Sequence, residues 1–312
     1  MSPYTDTDFW TFFSTLFYRL GAFLLGYPSP IATDEVQLIV LCSIGAASAI
    51  LGTWLTYRRM AMLANALSHT LLLGIIAAYL SYRFFSGIAV HSLFDIPFSL
   101  LLMGGILAGL LTAFFTETLR VKVGIQEDAS IGIVFTSFFA LALLVINVLS
   151  RNAHLGVDAI IGNVDALQKG AVFEAIPLFL FIFVAEKLFR KELLITTFDA
   201  PFAKTIGIPA ERINLLLMGL TALLLTLAFQ AVGVIQVLSF LVIPPLFASR
   251  FSHSISHIIR IAILFALFSA LVGVALSRHF LTVFALPLST GSLVVTLQTL
   301  LLIPALFYRR RA

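Results

Sequence analysis

Long apolar segments recur roughly every 25 to 35 residues along this chain of 312 residues, and that repetition limits the fold more than any single motif does. Nine segments stand out, at 36–56, 62–84, 97–119, 130–150, 171–189, 213–231, 233–250, 255–277 and 286–308. Many run about 18 residues or more with few charges, the length that crosses roughly 30 Å of hydrocarbon as helix. Composition agrees: 60% of residues are hydrophobic and only 11% are charged, against about 25% charged in soluble domains. The expected fold is all-α, a polytopic transmembrane helical bundle of eight or nine spans. Alternating ten-residue strands, the mark of a membrane barrel, are absent.

The net charge of +4 matters less than where the basic residues fall. Alternate loops of the nine-span reading hold Arg58, Arg59, Arg120, Lys122, Lys187, Arg190, Lys191, Lys204, Arg212, Arg250, Arg260 and Arg309 to Arg311. The opposite loops hold only Arg19, Arg83, Arg151, Lys169 and Arg278. Fourteen against five places the first set in the cytoplasm, with the C-terminus inside and the N-terminus outside. Residues 1–35 then form an external or interfacial segment, 36–308 a single transmembrane domain, and 309–312 a basic cytoplasmic tail. The aromatic stretch "TFFSTLFYRLGAFLLGY" (11–27), short and carrying Arg19, fits an interfacial helix better than a span. "MSPYTDTDFW" has acids where a signal peptide has its positive region, so no cleavable signal is expected. Cys42, the single cysteine, can form no internal disulfide and reads as a small packed hydrophobe.

Polar side chains inside the apolar segments point to function. In "MAMLANALSHTLLLGI", Asn65 and His69 are spaced i, i+4 and share a helix face, with Ser68 beside them. A carboxamide oxygen and a neutral imidazole suit a divalent Zn, Mn or Fe ion, although two donors make only part of a coordination sphere. Interhelical hydrogen bonding is the competing use of the same side chains. A second segment, "FQAVGVIQVLSFLVIPPLFASRF", holds Gln230, Gln236 and Ser239 as pathway or gate candidates, and its Pro244–Pro245 pair predicts a kink or break near Leu241.

Two cytoplasmic connections carry the remaining candidates. The long insert 189–213 contains a short predicted helix from Pro201 to Ile206, capped by Thr197 or Asp199 and ended by Gly207. In "RVKVGIQEDAS", Glu127 and Asp128 precede an apolar helix, where carboxylates favour the helix dipole. Gly104, Gly105, Ala108 and Gly109 form a small-residue stripe for close helix contact. His91 with Asp95, and His154 with Asp158, are external pairs whose spacing favours a metal only on a helix, whereas His253 and His257 read as membrane-edge surface. No P-loop, H-E-x-x-H or paired C-x-x-C sequence is present, and no basic stripe interleaved with aromatics indicates nucleic acid.

From "YRRMAMLANALSHTLLLGI" onward, the chain resembles the integral-membrane permease subunits of bacterial zinc/manganese/iron ABC importers. Arg58, Arg59, Ala66, Leu67, Ser68, His69 and Gly74 match the family's basic pair and its G-D-A-L-S-H-A-like stretch. "EDASIGIVF", "LLITTFDAPFAKTIGI" and "FQAVGVIQVLSFLVIPPLFAS" follow in the family's order, so the resemblance covers about residues 40–250. It implies a non-catalytic subunit of the bacterial inner membrane and a partner permease, identical or different. It also implies cytoplasmic ATP-binding subunits, an external metal-binding protein and a divalent metal as cargo, with no permanently bound cofactor.

The resemblance places His69 on the metal path, but Asn65 stands where the family has aspartate and Ala64 where it has glycine. Asparagine keeps an oxygen donor and loses the charge that attracts a dication. A carboxylate from a different partner permease, or altered selectivity, would account for the change. The insert 189–213 becomes the coupling element, with Asp199, Ala203 and Gly207 on its motif positions and Glu127 and Asp128 in support. The alternative is a secondary metal or small-solute carrier working without an ATPase, for which repeated halves with broken helices are expected. A membrane enzyme using Glu127 and Asp128 is a weaker reading, because neither acid lies in an evident intramembrane pocket.

Overall fold

A computed structural model describes residues 3–4, 7–25, 30–86, 97–149 and 164–307. Twelve α-helices appear among them: α1 Phe9–Leu24, α2 Thr33–Tyr57, α3 Ala61–Ser86, α4 Phe98–Thr118, α5 Glu127–Leu149, α6 Gly170–Leu188, α7 Arg190–Phe198, α8 Ala200–Thr205, α9 Ala210–Val232, α10 Val234–Ser249, α11 Ile255–Phe284 and α12 Thr290–Phe307. No strand occurs among the described residues. Each of the nine apolar segments is a helix at its expected place. Seven segments are long and apolar enough to cross a membrane, and α10 is a shorter apolar helix. The remaining predicted span, α6, carries Glu174, Glu186 and Lys187 within its 19 residues. The pairs His91/Asp95 and His154/Asp158 and the tail 309–312 lie outside the described residues.

Of the kink or break predicted near Leu241, no break occurs. Helix α10 runs unbroken through Pro244 and Pro245, and the interruption falls at Gly233, whose φ of 90° separates α9 from α10. Proline only removes local donors, whereas a positive φ redirects the chain, and glycine adopts it without a Cβ clash. Burial of Phe240, Leu241, Pro244 and Pro245 holds the proline-bearing turn in place.

Contacts group the chain into two compact units. One comprises Met1–Ile50, Asn163–Leu180 and Ala231–Ala312. Within it, the Phe247 and Phe265 rings stack at 4.1 Å between α10 and α11. A Cβ on Gly273 of α11 would meet Val294 of α12 at 2.2 Å, so these two helices are in close contact. Ion pairs secure one end of this unit: Arg19 of α1 with Glu35 of α2, and Arg278 of α11 with the fully buried Asp34. Tyr4 donates to Glu35 at 3.0 Å, and burial followed by that bond pushes its phenol above the ordinary range.

The other unit comprises Leu51–Gly162 and Phe181–Gln230. Helices α3 and α4 meet backbone to backbone at Gly74 and Gly104, where an added Cβ would lie 2.2 to 2.3 Å from the opposing carbonyl oxygen. The next glycines of α4 face α9: a Cβ on Gly105 would reach Thr226 at 2.4 Å, and one on Gly109 would reach Ala222 at 2.2 Å. The small-residue stripe is thus a packing surface for two neighbours. Leu72 and Ile76 of α3 enclose Ala142 of α5, flanked by Phe139 and Val145.

A tight corner joins α2 to α3. The Met60 amide donates to the Leu55 carbonyl at 2.8 Å and that of Arg59 to Thr56 at 3.1 Å, while Arg59 takes φ 61°. This pattern satisfies the last carbonyls of α2 and allows α3 to start two residues later.

Candidate functional site

Helix α3 presents Asn65, Ser68 and His69 in its first three turns. The Asn65 side chain is exposed and His69 is half-buried, while Ser68 is buried with its hydroxyl donating to the Asn65 carbonyl at 2.6 Å. Ser68 therefore commits its proton to the helix and could meet a metal only through the lone pairs of its oxygen. His69 rests against two rings of α5, 5.3 Å from Phe135 and 5.2 Å from Phe139. This aromatic wall restricts the imidazole and leaves the Asn65 side open. Among the described residues no three His, Cys, Asp or Glu side chains converge. A four-coordinate metal at Asn65 and His69 thus needs donors from elsewhere.

Gln230 is exposed at the end of α9. Gln236 and Ser239 are buried on α10, in the other unit, and the Ser239 hydroxyl donates to the Gln298 carboxamide oxygen of α12. Neither amide atom of Gln236 has a hydrogen-bond partner among the described residues. Burying such an amide costs several kcal/mol, on the order of 2–7, unless water or another donor meets it. Gln298, fully buried on α12, was missed by the sequence reading because a lone glutamine in an apolar helix carries no spacing signal.

The insert folds as two short helices. Asp199, at φ −145°, caps α8 by accepting from the Phe202 amide at 2.9 Å. At the other end Gly207, φ 82°, donates to the Lys204 carbonyl at 3.2 Å and Ile208 donates to Ala203 at 2.9 Å, closing a Schellman-type turn. Ala203 is fully buried. The three motif residues therefore build the helix rather than its outer face. Among what the insert exposes are three large apolar side chains, Phe198, Phe202 and Ile206, beside charged groups such as Lys204. Of the cap alternatives, Asp199 takes the role, and Thr197 instead donates to the Leu193 carbonyl. Glu127 opens α5 as expected, and the Asp128 side chain is exposed. His253 precedes α11 and His257 lies within it, both exposed.

A polar network missed in the sequence lies beside the insert. Arg58 donates through Nε to Thr197 at 3.0 Å, through Nη1 to Asn214 at 3.2 Å, and through Nη2 to Thr196. Asn214 donates to Glu117 of α4 at 2.8 Å, and Glu117 also pairs with Arg120. Arg58, Thr196, Thr197, Asn214 and Arg120 line a cavity of about 240 Å³ together with Arg59 and Tyr57.

A model of the ABC 3 transport family matches residues 35–309, nearly the whole chain. This chain belongs to the ABC 3 transport family. Within the family it is similar to a probable metal transport system membrane protein of Chlamydia muridarum, 35% identical over 297 residues, which cover 95% of this chain and 91% of that one. It is also 32% identical over 244 residues to the manganese transport system membrane protein MntD of Bacillus subtilis, covering 74% and 78%. In fold it is similar to PsaBC from Streptococcus pneumoniae in complex with Fab, with a TM-score of 0.70 at 24% identity over 94% and 96% of the chains. A metal-chelate type ABC transporter in an inward-facing conformation gives a TM-score of 0.64 at 15% identity, over 88% and 87%. The ABC 3 membership bears out the family resemblance read from the motifs and the all-α membrane fold.

Proposed function

We propose that this chain is the permease subunit of an ATP-driven importer that moves a divalent transition metal (Zn, Mn or Fe) into the bacterial cytoplasm. The observation that carries this reading is the 35% identity, across 95% of the chain, to a protein named as a metal transport system membrane protein. Manganese is the first cargo to test, because the Bacillus subtilis relative is named for it. His69 supplies an imidazole to the passing ion and Asn65 a neutral oxygen one turn away. Gln230, Gln236 and Ser239 remain candidates for the path or its gate. A partner permease, identical or different, supplies the missing donors, and an external binding protein delivers the metal. Zn, Mn and Fe all accept nitrogen and oxygen donors, so these two residues alone do not select among them.

The exposed apolar face of Phe198, Phe202 and Ile206 on a capped, otherwise polar insert supports docking onto a soluble subunit. Under this reading that subunit is the ATPase, and the insert lies in the cytoplasm with the basic loops and the C-terminus. Closure of the paired ATPases would move the insert and alternate access to the path.

The test is reconstitution in proteoliposomes with the ATP-binding subunits and the external binding protein, following uptake of each metal. The expected result is ATP-dependent uptake that falls at least tenfold in His69→Ala while the complex still assembles. Equal uptake without ATPase subunits would overturn the ABC reading in favour of a secondary carrier.

A further inference from the structure

We propose that Arg58 is the positioning residue that staples the neck of the coupling insert and passes its movement to the helix carrying His69. The inference rests on the permease reading above.

Within the insert, α7 ends just before the cap of α8, and the chain rejoins the apolar bundle at the start of α9. Thr196 and Thr197 mark the first point, and Asn214 marks the second. One guanidinium, that of Arg58, holds all three side chains. The planar fork of arginine suits this task, since its donors point in fixed and divergent directions. Lysine would present one point charge and satisfy fewer acceptors at once.

The acceptors are themselves fixed. Thr196 and Thr197 donate to the carbonyls of Glu192 and Leu193, so each hydroxyl is oriented to receive Arg58. Asn214 accepts from Arg58 and donates to Glu117, which is 7% exposed and fixed in turn by Arg120. Four elements of one unit therefore meet at a single network: the α2 corner, α7, α9 and the end of α4. Buried networks with matched donors and acceptors stiffen their surroundings more than isolated pairs do.

Arg58 also sits on the corner that launches α3. Its carbonyl lies two residues before the buried Met60, and α3 begins at Ala61. From there His69 is eight residues along a continuous helix, about 12 Å at 1.5 Å per residue. A helix transmits such a displacement without absorbing it, while a flexible loop does not. Stapling the neck makes α8 move as one body with the α2–α3 corner, so a push on Phe198, Phe202 and Ile206 reaches the level of His69.

The test compares wild type with Arg58→Gln, Arg58→Lys and the double variant Thr196→Val/Thr197→Val in the complete complex. Two readouts are used. Amide exchange of residues 199–209 reports the staple without reference to transport, and metal moved per ATP hydrolysed reports coupling. Arg58→Gln should accelerate exchange in the insert at least tenfold and lower the metal-to-ATP ratio at least fivefold, with ATPase subunits still bound. Arg58→Lys should recover less than half of the ratio. The threonine double variant, which keeps the arginine, should reproduce the direction of both effects and guards against failure of the Arg58 variants to fold. Unchanged exchange in the threonine double variant and in whichever Arg58 variants fold overturns the staple. Faster exchange with an unchanged ratio overturns its role in coupling. If the wild-type complex moves no metal with ATP, the permease reading fails, while the exchange experiment still judges the staple.

Discussion

Replacing Gly104 by alanine tests how closely α3 and α4 must approach. The added Cβ would stand 2.3 Å from the Gly74 carbonyl oxygen and 3.0 Å from the Ala78 methyl. The first obstacle is backbone, so no side-chain rotation relieves it. The helices must part by about 1 Å to reach ordinary contact. Overpacking of this kind costs about 1–3 kcal/mol, and a rigid backbone obstacle puts the substitution at the upper end. Alanine returns about 0.5–1 kcal/mol through its better helix propensity, leaving a net loss of about 2 kcal/mol. In a thermal melt of purified protein that loss lowers the midpoint by about 3 °C for a chain of this length. Gly132→Ala is the internal control: position 132 also lies in a helix, but nothing stands within 4 Å of the added Cβ. It should hold or raise the midpoint. If Gly104→Ala melts with Gly132→Ala, the α3–α4 approach is looser than its geometry says and the packing argument is wrong.

Other perturbations separate local from long-range contributions. Asp199→Ala removes the α8 cap and should cost about 0.5–2 kcal/mol of local stability, seen as faster amide exchange confined to the insert, with Asp199→Asn largely restoring it. Arg278→Ala removes the guanidinium paired with the fully buried Asp34 and should lower the melting midpoint. Lys204→Ala breaks a pair whose side chains are 64% and 50% exposed, and should leave that midpoint unchanged. Asn65→Asp should lower the metal concentration needed for half-maximal uptake, because it restores a charge beside His69; an unchanged value would place Asn65 off the ion path.

The helices were legible because each announces itself through a local property, a run of apolar residues long enough to span hydrocarbon. The α8 helix was legible for the same kind of reason, since Asp199, Pro201 and Gly207 are start and stop signals within nine residues. What the sequence concealed depends on residues far apart. Arg58 meets partners 138 to 156 positions away, and nothing in "YRRM" says which they are. Ser239 and Gln298 are separated by 59 positions, and no local spacing pairs them. The boundary between α9 and α10 was legible as the gap between segments 213–231 and 233–250, and its cause is the positive φ at Gly233; the break expected at the proline pair does not occur, because α10 continues through it. At the candidate site, the polar face of α3 was visible from spacing, while the aromatic wall of Phe135 and Phe139 required α5 to be placed beside it.

The adjacent arginines of the α2–α3 corner answer to different masters. Arg58 is held by its side chain, which reaches three acceptors, whereas Arg59 is exposed and distinguished by its backbone at φ 61°. A saturation library across the two codons should therefore give nearly complementary profiles. Position 58 should admit little besides arginine, while position 59 should accept glycine, asparagine or lysine and reject valine, isoleucine and proline. Two identical letters side by side would then record two unrelated selections, one for a guanidinium and one for a left-handed turn.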